Sequence, residues 1–231
     1  MKKIIALILA CLMLTMSFVA CDKTEEPETT TEAVENNQTE APEAEQTTEE
    51  VTEAPVELPY KSAIELLNII FNGYNAAQAT DDTKLYVAGG NINNFDTTSM
   101  EGPAAFVPRA DEDADEDYDQ NLGIPAAQVA SIESAASMFN MMNTNVFNSY
   151  AIQFKAGTDV DAAINAIKEN ILARQWICGA PEKLVIIKCP GDYIVAVWGA
   201  VQFGGIVDPY AASIPTLVEG ATVVVEHTFA Q

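Results

Sequence analysis

The densest group of potential metal ligands in the chain is the acidic run "DEDADEDYD", which contains Asp111, Asp113, Asp115 and Asp117. Calcium loops of the EF-hand type need alternating oxygen ligands, a glycine at the sixth position and a glutamate at the twelfth. A loop that starts at Asp111 or at Asp113 has neither residue in place. We therefore expect a mobile acidic loop, within an aperiodic segment of about residues 91–120, that attracts divalent cations weakly and holds no bound metal.

A second candidate is the uncharged segment "FNMMNTNVFNSY", from Phe139 to Tyr150. If the helix that begins at Pro125 continues into it, Met138 and Met141 project roughly 120° or more from the centre of the apolar stripe. Flexible methionines suit adaptable binding surfaces, so these two form a candidate partner surface. The alternative is packing against the amino-terminal helix, with the asparagines as turn residues. Two thioethers without a third ligand make a poor Cu(I) site.

Two cysteines, Cys178 and Cys189, lie in the part of the chain that has a globular composition. The sequence "QWICGAP" around the first lacks the second cysteine of a W-C-G-P-C redox motif. A disulfide between the two would need Cα atoms within about 7 Å. Cys178 precedes the start of a predicted strand over 184–189, and Cys189 is its last residue. If this strand is straight, its two ends lie roughly 17 Å apart at ~3.3 Å per residue. We therefore expect two reduced thiols in the core.

His227 is the single histidine, which excludes histidine-rich zinc chemistry. A catalytic triad would need this residue beside a serine and a carboxylate from distant parts of the chain. The sequence contains no G-x-S-x-G elbow and no Walker or dinucleotide-binding glycine pattern. These observations favour a protein that is not an enzyme and needs no cofactor.

The elements that must position these residues follow from hydrophobic periodicity. A first helix is predicted over "SAIELLNIIFNGYNAA", with its apolar stripe on Ala63, Leu67, Ile70 and Tyr74. A second is predicted from Pro125, and its stripe is formed by Val129, Ile132, Ala136 and Phe139.

From Asn145 onward the predicted order is β-α-β-β-α-β. The strands include "KLVIIKC" and "YIVAVWG", which "PGD" joins as a hairpin, and the last strand is "TVVVEHTF". This order is that of a ferredoxin-like split sandwich of the α+β class, with helices on one face of an antiparallel sheet. The two additional N-terminal helices would cover the other face. The alternative is a simpler α+β domain in which the final strand lies at the edge.

The first twenty residues contain two lysines and an apolar run that ends in "FVAC", so residues 1–20 are predicted to be a signal peptide. The last four letters resemble the lipobox of bacterial lipoproteins, which implies that Cys21 is diacylated and becomes the new N-terminus. Two acyl chains provide the two signals that stable membrane anchoring needs. The predicted location is the extracytoplasmic face of the cell membrane.

Residues 21–59 contain the lipidated Cys21 and a stretch of Glu, Thr, Pro and Ala that has too little apolar bulk to fold. We interpret this stretch as an acidic stalk, and residues 60–231 as one α+β domain. The net charge of −23 argues against nucleic acid as a partner.

The segment from Asn143 to Trp198, with its "GTDV" helix start and "KLVIIKCPGDYIVAVWG" hairpin, resembles an uncharacterised domain found on lipoproteins of Gram-positive anaerobic bacteria. The resemblance supports the location and implies no activity or ligand.

We therefore expect a lipid-anchored protein with a non-enzymatic domain that binds an envelope protein or a small ligand. A solute- or metal-binding accessory lipoprotein is the alternative, and a hydrolase of unknown type is a third. A deep cavity with convergent polar groups would favour a solute, and a flat apolar patch at Met138 and Met141 would favour a protein partner.

Overall fold

A seven-stranded antiparallel sheet organises the described part of the chain. The computed structural model describes residues 57–94, 100–110, 113–177, 179–202 and 205–230. The predicted signal peptide, Cys21 and nearly all of the predicted stalk lie outside the described residues. Among the residues that are described, no helix has the length and apolar character needed to cross a membrane.

Five α-helices accompany the sheet in the described ranges. They are α1 (Ala63–Ala76), α2 (Ala114–Leu122), α3 (Ala126–Val129), α4 (Val160–Ala173) and α5 (Val207–Leu217), with a 3₁₀ turn at Asp81–Thr83. The strands are β1 (Ala88–Gly89), β2 (Ala104–Ala105), β3 (Ile132–Phe139), β4 (Phe147–Phe154), β5 (Lys183–Cys189), β6 (Tyr193–Gly199) and β7 (Thr222–Thr228). Their spatial order is β1-β3-β4-β6-β5-β7, and β2 pairs with the same strand, β3, that β1 pairs with.

The predicted first helix is confirmed in position and in its buried face. Ser62 caps α1 by accepting a hydrogen bond from the Glu65 backbone N–H. The buried residues of α1 are Ala63, Leu66, Leu67, Ile70 and Tyr74, which include all four members of the predicted stripe.

The predicted second helix is wrong over most of its length. A single helical turn, α3, follows Pro125, and residues from Ile132 to Phe139 form strand β3. Most residues of β3 are buried, because the strand is covered on both faces. Four apolar residues of β3, Ile132, Ala135, Ala136 and Phe139, recur at i, i+3, i+4 and i+7, so they satisfy a helical spacing although they belong to a strand.

The predicted order β-α-β-β-α-β is observed from β4 to β7, and the α+β class is confirmed. The strand order is not that of a ferredoxin-like sandwich, in which the last strand lies beside the first. Here β7 pairs with β5, and the free edge of β4 is taken by β3.

This strand order places the two crossover helices on opposite faces of the sheet. The connections β4-α4-β5 and β6-α5-β7 both skip one strand in the same lateral direction, but they start from antiparallel strands. Because such crossovers are right-handed, their helices fall on opposite sides. Accordingly, α1 and α5 share one hydrophobic cluster with Val195 and Val197, whereas α4 shares the other with Ile194 and Trp198.

Cys189 lies in the cluster beneath α1 and α5 as a free, buried thiol. Burial raises the pKa of this thiol to about 12, so the group stays protonated and unreactive. This agrees with the predicted reduced core thiol, while Cys178 lies outside the described residues.

Candidate functional site

A cavity of about 210 Å³ opens on the α4 face of the sheet, where β3 and β6 end and β4 begins. Its lining is mainly polar and aromatic, and its aliphatic members are Ile92, Leu122 and Ile177. The amide side chains in the lining are Gln120, Asn121, Asn145, Asn148 and Gln175, the hydroxyls are Ser137 and Thr144, and the aromatic rings are Phe139, Trp176 and Trp198.

The floor of the cavity is a row of side chains across three strands. Asn148 is paired in register with Phe139 on one side and with Trp198 on the other. Residues directly opposite in antiparallel strands point to the same face, with Cβ atoms roughly 4.5–5.5 Å apart. The sheet register therefore fixes one amide between two aromatic rings.

One wall of the cavity is the carboxyl end of α2. Gly123 ends this helix with a φ of 67°, and a Cβ atom there would lie 2.4 Å from Cγ1 of Ile171 on α4. Glycine thus permits both the left-handed backbone and the close approach of the two helices. Asn170 of α4 joins them further, because its Nδ2 donates to Asp119 Oδ1 over 2.6 Å and to Gly123 O over 3.1 Å.

A second wall is the non-helical segment that follows α4, from Arg174 to Ile177. The Arg174 guanidinium donates to the carbonyl oxygen of Gln120, near the end of α2, and lies 5.1 Å from the ring centre of Trp176. A helix C-terminus carries unpaired carbonyls and negative partial charge, so the cation is well placed there. Burial lowers the pKa of Arg174 below its ordinary value.

Four buried side-chain atoms in the described residues have no hydrogen-bond partner: Asn148 Oδ1, Tyr150 OH, Trp176 Nε1 and Trp198 Nε1. All four belong to the cavity or to the rings directly behind it. Trp198 contacts both Tyr150 and Trp176 edge to face, with ring centres 5.8 Å apart in each pair. A buried polar group without a partner costs about 1–3 kcal/mol. Such a concentration at one place is typical of a functional site rather than of a structural core.

The charge of the lining distinguishes the cavity from the rest of the molecule. The chain has a net charge of −23, yet the described residues that line the cavity include no carboxylate and no lysine. The single charged side chain among them is Arg174, which already contacts Gln120 and Trp176. The cavity is therefore suited to an uncharged polar molecule.

The asparagine-rich segment contributes directly to this site. Asn140 Oδ1 accepts from the backbone N–H groups of Met142 and Asn143, which closes the loop between β3 and β4. Asn145 Nδ2 donates to the carbonyl oxygens of Ile177 (2.9 Å) and Gly179 (2.7 Å) and so fastens the segment after α4. The predicted role of the asparagines as turn residues is confirmed for Asn140, whereas Asn148 has a role that the sequence did not reveal.

The predicted partner surface of Met138 and Met141 is not formed. Met138 is fully buried and belongs to the hydrophobic cluster that includes α1, which was the alternative interpretation. Met141 lies in the loop after β3 and is about half exposed. The physical reason is that Met138 sits in a strand, where its side chain faces α1 and α5, while Met141 follows the end of that strand.

The acidic run also differs from its prediction as a loop. Residues from Ala114 to Leu122 form α2, and Asp113 caps this helix by accepting from the Asp115 N–H. Asp117 is fully buried, while Asp111 lies outside the described residues. The described aspartates therefore do not converge, and no group of three or more potential metal ligands occurs in the described part of the chain.

Asp117 connects α2, which forms a wall of the cavity, to Asn91 and Arg109. Its carboxylate accepts from the Arg109 backbone N–H (2.6 Å), Nε (3.0 Å) and Nη2 (2.8 Å), and from Asn91 Nδ2 (2.9 Å). Burial raises the pKa of Asp117, but the hydrogen bonds from Arg109 and Asn91 lower it more, so the net pKa lies below its usual range. Asn91 adjoins Gly90 and Ile92, which both line the cavity.

His227 lies on β7 with its ring against Phe229, at a centre-to-centre distance of 5.2 Å. Within the described residues, its side chain makes no hydrogen bond with a serine or a carboxylate, which a catalytic triad would require.

No protein family, curated protein or solved structure that was compared with the chain matches it. The residues missed by sequence reasoning are Asn148, Arg174, Trp176 and Trp198. The one available signal was the position of the two tryptophans of the chain: Trp198 lies within the predicted strand "YIVAVWG", and Trp176 lies in the segment before the predicted strand "KLVIIKC".

We expect replacement of Asp117 by Asn to lower the free energy of unfolding by about 3 kcal/mol at neutral pH, because a fully buried carboxylate that accepts four hydrogen bonds is replaced by an amide that cannot accept all of them. Since the folded-state pKa of Asp117 is lowered, its contribution is present above about pH 4 and is lost as the pH falls further. The stability difference between wild type and Asp117→Asn in urea titrations should therefore shrink at low pH. Asp113→Asn is the control, since Asn caps a helix as well as Asp. A difference that is independent of pH would contradict this account.

Asn148 and Asn121 provide a matched pair in the cavity wall. Asn121 Oδ1 accepts from the Ile92 N–H and its Nδ2 donates to Asp117 O, whereas Asn148 makes one long hydrogen bond of 3.5 Å and leaves Oδ1 unpaired. We expect Asn121→Leu to destabilise the protein by about 1–3 kcal/mol, and Asn148→Leu to leave stability unchanged or raise it by about 1 kcal/mol. Urea denaturation measures both. Equal destabilisation by the two substitutions would show that Asn148 has a structural role.

Proposed function

We propose that this chain is a lipid-anchored extracytoplasmic binding protein whose α+β domain takes a small, uncharged polar molecule into the cavity at the end of the sheet. The observation that carries the proposal is the grouping of the unpaired atoms of Asn148, Trp176 and Trp198 at one cavity. A natural protein keeps such atoms buried without partners chiefly where a function uses them.

Binding is favoured over catalysis by the chemistry of the lining. General acid–base catalysis needs a titratable side chain within hydrogen-bond reach of the reacting group. The described residues of the lining include no carboxylate, histidine or cysteine. Ser137 donates to the carbonyl oxygen of Gly90 over 2.6 Å and has no adjacent base.

A small ligand is favoured over a flat protein partner by the shape of the molecule. The partner-surface hypothesis required an exposed methionine pair, and Met138 is fully buried. The cavity has instead the convergent polar groups that are expected of a solute site. Its volume of about 210 Å³ lies below the roughly 300–1,000 Å³ of sites for drug-sized ligands, which points to one ring or one short substituent.

The location rests on the sequence. Val19 and Ala20 precede Cys21 at the end of a basic and then apolar leader, and an acidic stretch of low apolar content follows. Lipidation at Cys21 would anchor the domain, and the acidic stretch would separate the cavity from the bilayer surface.

We expect Cys21→Ser to release the protein from the membrane fraction into the medium, because the thiol that carries the acyl group is removed. Cell fractionation followed by immunoblotting measures this, with Cys11→Ser as the control, since Cys11 lies inside the leader. Continued retention of the Cys21→Ser protein in membranes would rule out anchoring at this residue.

Tryptophan emission gives a direct test of the binding function. The chain contains two tryptophans, Trp176 and Trp198, and both line the cavity. Titration of the full mature chain with panels of neutral sugars, amino acids and amino-acid amides should show a saturable change in emission for one class. The same titration of Asn148→Leu should show a loss of affinity. A response that is unchanged in Asn148→Leu would place the binding elsewhere, and no response to any panel would contradict the proposal.

A further inference from the structure

Three residues that line the cavity, Asn148, Trp176 and Trp198, each have one side-chain atom without a hydrogen-bond partner. An indole N–H is a donor only, so Trp176 and Trp198 each offer one donor. The amide oxygen of Asn148 is an acceptor only. Tyr150 also has an unpaired hydroxyl, but it lies behind Trp198 and is not part of the lining. Residues of the floor and wall of the cavity therefore hold two unpaired donors and one unpaired acceptor, which are covered in this structure.

A secondary amide has the hydrogen-bonding groups that complement the two indole donors and the one amide-oxygen acceptor. Its carbonyl oxygen has two lone pairs and can accept from both indoles, and its single N–H can donate to the Asn148 oxygen. A hydroxyl group has one donor and two acceptor sites as well, but it lacks the planar extent and the apolar end of an acetamido group. The rings of Phe139 and Trp198 on either side of Asn148 offer apolar contact for a methyl group.

From these observations we propose that the cavity recognises the acetamido group of a neutral N-acetylated amino sugar. This inference rests on the proposed binding function and names its ligand class. The amide-bearing side chains of Gln120, Asn145 and Gln175, together with Thr144, have both donors and acceptors and match the hydroxyl groups of a sugar ring. The absence of carboxylates from the described lining fits a ligand without a positive charge.

Cavity size distinguishes an acetamido group from the amide of a peptide. An acetamido group ends in a methyl group and adds little volume to the sugar ring that carries it. An internal peptide amide continues as a chain on both sides, and a cavity of about 210 Å³ would enclose only part of such a chain.

Ligand entry requires a local rearrangement, because the three unpaired atoms are covered in this structure. Trp176 is the one half-buried member, and it belongs to the non-helical segment after α4. Displacement of Trp176 would uncover the floor of the cavity, and a rotation about χ2 of Asn148 would turn its amide, since this terminal torsion is broad. Ligand binding should therefore change the emission of both tryptophans.

The experiment titrates the full mature chain, purified in detergent, with four probes: N-acetylglucosamine, glucosamine, glucose and N-acetylalanine amide. Tryptophan emission and the thermal midpoint are recorded. We expect N-acetylglucosamine to bind saturably and at least about tenfold more tightly than the other three probes, since each lost hydrogen-bond match costs about a factor of ten. Asn148→Leu and Trp176→Phe should each weaken its binding about tenfold. Tyr86→Ala, which removes an exposed ring outside the cavity, is the control.

Equal binding of glucose and N-acetylglucosamine would overturn the acetamido inference and leave the proposed binding function standing. N-acetylalanine amide carries the same acetamido group without a sugar ring, so tighter binding of this probe would also overturn the inference, in favour of an N-acylated peptide ligand. Binding of N-acetylglucosamine that both cavity variants retain would overturn the assignment to this cavity. No response to these probes or to the wider panels would overturn the binding function and the inference together.

Discussion

The antiparallel pairing of β4 with β6 at the centre of the sheet is the interaction on which the other features of the structure depend. Every residue of β6 and nearly every residue of β4 is buried, because α4 covers one face of this pair and α1 and α5 cover the other. A strand that is covered on both faces has no solvent-facing row in which polar residues can be placed without cost. The two neighbouring polar residues Asn148 and Ser149 differ in this respect. Ser149 donates to the Tyr210 hydroxyl, and Asn148 has an unpaired oxygen.

The cavity arises where this two-sided cover is incomplete. On the α4 face, the helix ends at Ala173, before the sheet does, and the remaining area is closed by the end of α2 and by the segment around Trp176. Both closing elements are held by polar contacts rather than by apolar packing alone: Arg174 on Gln120, Asn145 on Ile177, and Asn170 on Gly123. Polar closure of this kind opens at lower cost than a packed core, and the ends of such elements are common sites for ligand-linked movement.

Charge is distributed so that the acidic character of the chain is kept out of the site. Of the acidic run, Asp113 and Asp115 serve the start of α2, and Asp117 is neutralised by Arg109 in the interior. The carboxylate of Asp117 thus has a structural function near the cavity, in place of the cation binding that its sequence neighbours suggested. Its four hydrogen bonds connect residues 91 and 109 to α2 and so position the wall that Asn121 completes.

The sequence by itself determined the local elements with unambiguous signals: the amphipathic α1, the β5–β6 hairpin and the order β-α-β-β-α-β. It also predicted a location at the membrane surface, through the lipidation signal at Cys21. Tertiary structure alone decided three matters. Residues 132–139 form a strand because they pair with β1, β2 and β4. The sequence did not predict this, because the spacing of their apolar residues also fits a helix. The last strand paired with β5 because β3 occupies the edge of β4, which moved α5 to the face opposite α4. Asn148, Trp176 and Trp198, which are far apart in the chain, meet at one cavity because sheet register and helix length bring them together, and no local pattern encodes either.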